Sequence, residues 1–362
     1  MKNIIINASA SSSGGANTII NQFINNIPLD GNVYYIFTKT ELKNTANKRF
    51  ININTQGKYI KRLIWELFGI RNWLRKNKVI PDLFISFQNT GIFFNDKISQ
   101  IVYYHQPVSL FNYNWKFYKR IELSLFFYKN IYPFIIKLSF NKNTSFVVQL
   151  NCIKDSFSNV YNINPDRIHV IRPNFKSITQ THHFKFNINK KKQHFFYPCI
   201  TISPYKNFKT IFDAIKVIPI NFMENAIFHF SCTKKEINSI YDLSSFPDSF
   251  FVFHDNKLSY EDVMSLYISV DVILFPSFIE TFGLPLLEAS FFNKPIIVSD
   301  LPYSREVLKN YNNVKFIKYN NHILWAESIQ TKMYTIKSND QLYNYNSNNW
   351  IEFNKIIQDK LK

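Results

Sequence analysis

The stretch VILFPSFIETFGLPLLEAS, Val272 to Ser290, decides the fold. Val272–Phe275 is an unbroken apolar β-type run, the pattern of a central parallel strand covered on both faces, and Pro276 ends it. Helical spacing of apolar residues begins at Leu284, with Pro285 in the first turn, where a missing N–H costs nothing. Gly283 just before it lets backbone approach a ligand closely. The free N–H groups of the first turn and the positive end of the helix dipole then form an anion site suited to a phosphate.

Two carboxylates flank that site. Glu280 stands in the loop at the carboxyl end of the strand, where open α/β sheets bind ligands, and Glu288 lies one turn into the helix. Like charges repel, so neither suits the phosphate itself; both suit hydroxyl groups on either side of it. A ligand with sugar hydroxyls on both sides of a diphosphate is a nucleotide sugar.

The rest of the chain repeats the alternation of strand and helix. Asn3–Asn7 reads as a buried strand, followed by the Ser/Gly loop and amphipathic helix of ASASSSGGANTIINQFINNI. Further strands are expected at Val33–Phe37, Leu83–Phe87, Ile101–Tyr104 and Phe146–Gln149. The second half gives strands at Phe195–Tyr197, Ala226–Phe230, Phe251–Phe253 and Ile296–Val298, with helices at Lys209–Val217, Tyr260–Ile268 and Leu284–Phe292. Short β-rich runs alternating with helices imply parallel sheets. A chain of 362 residues exceeds what one core usually serves. The expectation is an α/β protein of two doubly wound domains, 1–175 and 176–345, with 346–362 forming a last helix, Trp350–Leu361, that returns toward the first domain. The polar, basic stretch 160–193 reads as the connection, and YNYNSNN near residue 345 as a loop.

Hydrophobic residues make up 46% of the chain and charged residues 19%, a globular balance. The net charge of +18 suits an anionic partner. Lysine, asparagine and isoleucine are abundant together, however, as an AT-rich coding sequence would give, so part of that charge is compositional. Aromatics are 17% of the chain, more than a core needs. With only seven glycines, each answers a backbone need. Cys152, Cys199 and Cys232 are widely spaced and form no CxxC pair, which argues against a disulfide framework or a zinc site and fits a reducing cytoplasm. No run of about 18 apolar residues suggests a membrane span.

The segment Glu280 to Glu288, ETFGLPLLE, resembles the EXXXXXXXE signature of retaining GT-B glycosyltransferases of family 4. The resemblance implies two Rossmann-like domains facing a cleft, with Glu280 on the donor sugar, Glu288 on the ribose, and the backbone of Thr281, Phe282, Gly283 and Leu284 at the diphosphate. FFYPCITISPYKNFKTIFDAI resembles the family's donor-phosphate segment, which makes Lys206 the diphosphate cation. An arginine common in the family five residues earlier is Thr201 here, a gap that Arg172, Arg305 or another group would have to fill. Gly14 and Gly15 resemble the glycine loop that approaches the donor from the first domain, and His105, just after a strand, resembles a histidine at the reacting centre. Asp300, Arg305 and Glu306 also match, in supporting positions.

Lysine and arginine interleave with aromatics in 58–78 and 111–137, which suits the surface of an anionic membrane as well as ordinary amphipathic helices. What the resemblance implies is a retaining glycosyltransferase (hexosyltransferase) that moves a hexose or deoxyhexose from a nucleotide diphosphate sugar to a saccharide acceptor, lipid-linked, in bacterial O-antigen or capsule assembly. It would be cytoplasmic, peripheral to the inner membrane face, and need no metal or other cofactor. Rivals are a GT-B nucleotide-sugar epimerase and, from the charge, a nucleic-acid-binding protein, for which no motif is present. Whether Glu280 is a nucleophile or positions the donor is left open by the sequence.

Overall fold

The computed structural model describes residues 1–9, 14–39, 42–53, 64–93, 97–174, 186, 188–199, 201–254, 258–331 and 349–362. The chain divides into two compact units, Met1–Asn174 with Ser347–Lys362, and Phe175–Asn346.

The first unit runs β1 (Asn3–Asn7), α1 (Gly14–Asn25), β2 (Val33–Thr38), β3 (Lys48–Asn52), α2 (Ile70–Lys76), β4 (Leu83–Ser86), β5 (Ser99–Tyr103), α3 (Leu123–Asn130), α4 (Tyr132–Leu138), β6 (Thr144–Val148), α5 (Asn151–Tyr161) and β7 (Ile168–Val170). Its seven strands are all parallel, in the order β3-β2-β1-β4-β5-β6-β7. The chain winds outward from β1 in one direction and then returns to the other side of β1 with β4, so the switch point of the sheet lies between those two strands.

The second unit runs β8 (Gln193–Tyr197), α6 (Phe208–Val217), α7 (Ile220–Met223), β9 (Ala226–Phe230), α8 (Lys234–Asn238), β10 (Phe251–Phe253), α9 (Tyr260–Ser269), β11 (Val272–Phe275), α10 (Leu284–Phe291), β12 (Ile296–Ser299), α11 (Pro302–Val307), β13 (Val314–Ile317) and α12 (His322–Gln330). Its order is β10-β9-β8-β11-β12-β13, again parallel, with the switch point between β8 and β11. All four residues of β11 and of β12 are buried, as helices on both faces of a parallel sheet require.

The last helix, α13 (Asn349–Leu361), belongs to the first unit. Trp350 and Phe353 on it are fully buried against Phe23 of α1, and Phe353 also meets Phe87 and Tyr103 beyond β4 and in β5.

Three strands depart from the sequence expectation. The stretch read as a connecting loop contains β7, three residues pairing in parallel with β6, and β3 and β13 pass unmarked in the sequence. Each is the outermost strand of its sheet at that edge, so polar side chains interrupt the apolar run by which inner strands are read. The YNYNSNN stretch lies outside the described residues.

Candidate active site

Lys206 follows β8 and Glu280 follows β11, so the two loops meet at the switch point of the second sheet. Buried donors fix both backbones there. The Tyr197 hydroxyl, at the end of β8, donates to the Lys206 carbonyl at 2.6 Å and lies 3.2 Å from Ser277 Oγ. Asn207 takes the left-handed conformation with φ 59°, which asparagine tolerates. Its amide then donates to the Pro276 carbonyl at 3.1 Å and the Tyr319 carbonyl at 2.7 Å. Phe278 N–H donates to the Tyr205 carbonyl at 2.9 Å, which ties one loop directly to the other. Tyr303 and Ser299 hold the second loop from below, donating to the carbonyls of Ser277 and Pro276, each at 2.7 Å.

On this frame Lys206 Nζ reaches Glu280 Oε1 at 2.5 Å, with only 17% and 14% of the two side chains exposed. Burial by itself pulls the Lys206 ammonium down, but the adjoining Glu280 carboxylate more than reverses this, so its pKa stands above the ordinary lysine value. The cation is therefore permanent, and it is held mostly buried beside Glu280.

Gly283 caps α10 with φ 85°, a conformation that side chains rarely adopt. Pro285 occupies the first turn, as the sequence requires. Of the remaining residues read as donor-binding, Phe282 is buried, while Thr281 and Leu284 are half-buried at the mouth of this turn. Glu288, half-buried on the same helix, accepts a 3.0 Å hydrogen bond at Oε2 from Tyr267 of α9, whose hydroxyl also lies 3.3 Å from the Pro285 carbonyl. Burial pushes the Glu288 carboxyl up to about 7, with the Tyr267 hydrogen bond opposing the rise. Tyr267 went unmarked in the sequence, because a tyrosine on an amphipathic helix has no local signal for what it meets.

The other sequence candidates fall in several places. Arg305 is committed to Asp300, by Nε at 2.5 Å and Nη2 at 2.8 Å, and lies over the Phe316 ring, so it does not supply the charge missing at Thr201. Thr201 itself is exposed, and its carbonyl accepts from the Cys199 thiol at 3.2 Å. Arg172 lies in the first unit, where its carbonyl accepts from Asn349 at 2.7 Å. Gly14 and Gly15 are the first residues of α1 rather than part of the loop before it, and residues 10–13 lie outside the described residues.

His105 follows β5 in the first unit. Its backbone N–H donates to Asn89 Oδ1 at 2.5 Å, and its ring stacks on Tyr103 with centroids 4.7 Å apart. Gln149 Nε2 stands 3.5 Å from Nδ1. An amide nitrogen only donates, so Nδ1 accepts and the imidazole proton sits on Nε2. Nε2 is buried with no protein partner. Burial brings the pKa down to about 3, which leaves a neutral ring with one unspent N–H. Among the described residues, no group of three or more His, Cys, Asp or Glu is arranged to hold a metal ion.

The family model "Glycosyl transferases group 1" matches residues 179–349, which hold Lys206, Glu280 and Glu288. This part of the chain is similar to that family. The O-antigen chain mannosyltransferase RfbU of Salmonella typhimurium is 28% identical over 188 residues, 51% of this chain and 50% of that protein, so the match spans about half of that relative's length. Among solved structures, Anabaena HepE in complex with UDP and glucose superposes with a TM-score of 0.67 at 13% identity, covering 100% of this chain and 99% of that one. WaaG, a glycosyltransferase involved in lipopolysaccharide biosynthesis, gives 0.64 at 13% identity, covering 90% and 89%. At these identities the likeness speaks for the fold, and the fold is GT-B. No helix among the described residues is long and apolar enough to cross a membrane.

Proposed function

We propose that the protein is a retaining glycosyltransferase that moves a hexose from a nucleotide diphosphate sugar to a lipid-linked saccharide in bacterial surface-polysaccharide synthesis. The observation that carries it is the Lys206–Glu280 pair at the switch point, beside the Gly283 cap of α10 and one helix turn from Glu288. The group 1 family match supports the reaction class, and the O-antigen mannosyltransferase relative supports the pathway. UDP bound to a neighbour of the same fold supports the donor class.

In this reading the diphosphate displaces Glu280 from Lys206 and docks on the N–H groups of the first turn of α10. Glu280, released from its ion pair, accepts from the donor-sugar hydroxyls, and Glu288 accepts from the ribose. As the bond from the anomeric carbon to the phosphate oxygen breaks, its electron pair stays on the diphosphate, and Lys206 with the helix end stabilises that growing charge. The acceptor hydroxyl bonds to the anomeric carbon on the same face and gives its proton to the departing phosphate oxygen. His105, with its proton on Nε2, donates a hydrogen bond to a substrate oxygen. No metal or other cofactor is assigned a part. The enzyme works at the inner face of the cytoplasmic membrane, where a lipid-linked acceptor is presented.

Thermal unfolding against UDP, GDP, ADP and dTDP tests the donor site. A nucleotide at about 100 times its dissociation constant adds about 2.7 kcal/mol. Stabilisation by one of them, lost in Glu288→Ala, together with loss of transfer in a folded Glu280→Ala, is the expected result. Normal turnover by Glu280→Ala overturns the assignment.

A further inference from the structure

Lys206 has a second neighbour besides Glu280. Its Nζ stands 5.6 Å from the centre of the Tyr205 ring, a distance at which an aromatic face attracts a cation. The ammonium is therefore held by a carboxylate and by a ring. A ligand that takes the carboxylate away leaves the ring in place.

Tyr205 is fixed as firmly as the lysine. It is the middle residue of a single 3-10 turn, Pro204–Lys206, closed by the Lys206 N–H donating to the Ser203 carbonyl at 2.9 Å. The Tyr205 carbonyl accepts from Phe278 N–H at 2.9 Å and the Lys206 carbonyl from the Tyr197 hydroxyl at 2.6 Å, so the turn is pinned both to the loop after β11 and to the end of β8. The Tyr205 side chain is half-buried. Burial pushes its phenol pKa up, Lys206 opposes the rise and Glu280 adds to it, so the hydroxyl keeps its proton in the field of both charged groups, with Ser203 as a hydrogen-bonding neighbour.

A departing diphosphate gains a full negative charge, and against it stand one lysine and a helix end. Thr201 is exposed and brings no charge, and Arg305 is spent on Asp300. A phenol beside the lysine supplies a further donor. Its O–H makes a charge-assisted hydrogen bond to a phosphate oxygen, and a pinned turn needs no reorganisation as the charge grows.

We propose that the Tyr205 hydroxyl donates a hydrogen bond to the outer phosphate of the donor, the one bonded to the sugar, and so stands in for the cation that Thr201 does not provide. This rests on the donor-site reading above. In that reading Glu280 marks the sugar end of the ligand and Glu288 the nucleoside end, and Tyr205 shares its surroundings with Lys206 and Glu280, which places the outer phosphate nearest to it. The phenol keeps its own proton throughout; the acceptor's proton goes to the phosphate oxygen.

The test compares nucleoside diphosphates with monophosphates. Thermal unfolding of the full chain, Tyr205→Phe, Tyr205→Leu and Glu288→Ala is followed against rising UDP, GDP, ADP and dTDP, and against UMP, GMP, AMP and dTMP. Tyr205→Phe keeps the ring and the backbone contacts, so Tm without ligand is expected to hold. Its affinity for the stabilising diphosphate should fall about tenfold, the loss of one hydrogen bond to a charged group, while that for the matching monophosphate is unchanged. Tyr205→Leu also removes the ring beside Lys206 and should lose roughly threefold more. Undiminished diphosphate affinity in Tyr205→Phe overturns the proposal, as does an equal loss for monophosphate and diphosphate, which would put the hydroxyl at the nucleoside or in the fold. Failure of the donor reading looks different, since then no nucleotide stabilises even the unaltered chain. If Glu288→Ala abolishes a stabilisation that Tyr205→Phe retains in full, the donor site stands and only the role of Tyr205 falls.

Discussion

Lys206 Nζ and Glu280 Oε1 are 2.5 Å apart at the carboxyl ends of two adjacent strands that are far apart in sequence. Each neutralises a charge that the other's absence would strand in a mostly buried setting. Removing one partner of such a pair costs about 3 kcal/mol, discounted here for the solvent that reaches both side chains, whereas replacing both by apolar groups costs much less. Lys206→Met and Glu280→Leu singly are thus expected to lower Tm more than half as much again as the double variant does. Chemical denaturation of the four proteins closes the cycle, and additive losses would mean that the pair is not coupled.

Glu288 gives the proposed donor site a pH dependence. Its carboxyl titrates at about 7 because of burial, and only the ionised form accepts hydrogen bonds from two hydroxyls at once. Nucleotide affinity should fall about tenfold per pH unit below that point and level off above it. In Tyr267→Phe the hydrogen bond that opposes the rise is gone, so the midpoint moves to higher pH. Stability runs the other way. A carboxyl whose folded pKa exceeds its unfolded one stabilises the fold at low pH and loses that contribution as pH climbs toward 7. Glu288→Gln is therefore expected to raise Tm at alkaline pH while abolishing nucleotide stabilisation. Titration calorimetry and thermal scans across pH read both effects, and a flat affinity profile would remove Glu288 from the site.

The reasons some of this was legible in sequence are physical. β11, β12 and β1 lie inside their sheets, covered on both faces, so their runs are apolar without a break, and the turn after β11 is written in Gly283 and Pro285. Lys206, Glu280 and Glu288 stand in chain-local patterns of strand, loop and helix. Tyr197, Tyr267 and Tyr303 do not. Their hydroxyls act on loops reached only through the fold, in a chain with 21 tyrosines. The basic-aromatic segments could not be sorted either, since the same alternation packs Trp73 against Phe37 and leaves Phe134 exposed.

Gly283→Ala isolates the backbone requirement of the cap. At φ 85° a side chain costs on the order of 1 to 2 kcal/mol, and the new Cβ would stand 3.3 Å from Leu286 Cδ1 and 3.5 Å from Tyr303. Because the same residue opens the first turn of α10, nucleotide affinity should fall together with Tm. Stability lost with affinity intact would show that the turn is structural alone.

Three histidines, His194 and His229 buried and His254 half-buried, form a chain in the second unit. His194 Nε2 donates to the Asn189 carbonyl at 2.9 Å, so its Nδ1 accepts from His229 Nε2 at 2.8 Å, and His229 Nδ1 in turn accepts from His254 Nε2 at 3.1 Å. Every link requires a neutral ring. Burial, reinforced by the neighbouring imidazoles, holds His229 down at about 3, and burial lowers His254 as well. The unfolded chain takes up the protons of His229 and His254 first, so stability is present above about pH 6.5 and is lost as pH falls below it, by up to about 1.4 kcal/mol per unit for each of these two. His229→Gln keeps a donor and an acceptor but cannot titrate, and should flatten the slope of Tm against pH. An unchanged slope would place the acid sensitivity elsewhere.

Gln149 decides which nitrogen of His105 carries the proton. Its amide donates toward Nδ1 from 3.5 Å and so leaves the hydrogen on Nε2, the atom without a protein partner. In Gln149→Glu a carboxylate takes the place of that donor and accepts from Nδ1–H. This moves the neutral tautomer's proton off Nε2 and raises the imidazole pKa from about 3 toward its ordinary value. The hydrogen-bond donor that the proposed mechanism assigns to the substrate has then become an acceptor, which should lower the transfer rate by roughly a hundredfold, in the range of one lost catalytic hydrogen bond. Donor-nucleotide affinity belongs to the other unit and should hold. Nitrogen chemical shifts of His105 read the tautomer directly. A shifted tautomer with undiminished transfer would mean that Nε2–H is spent on the fold and not on the substrate.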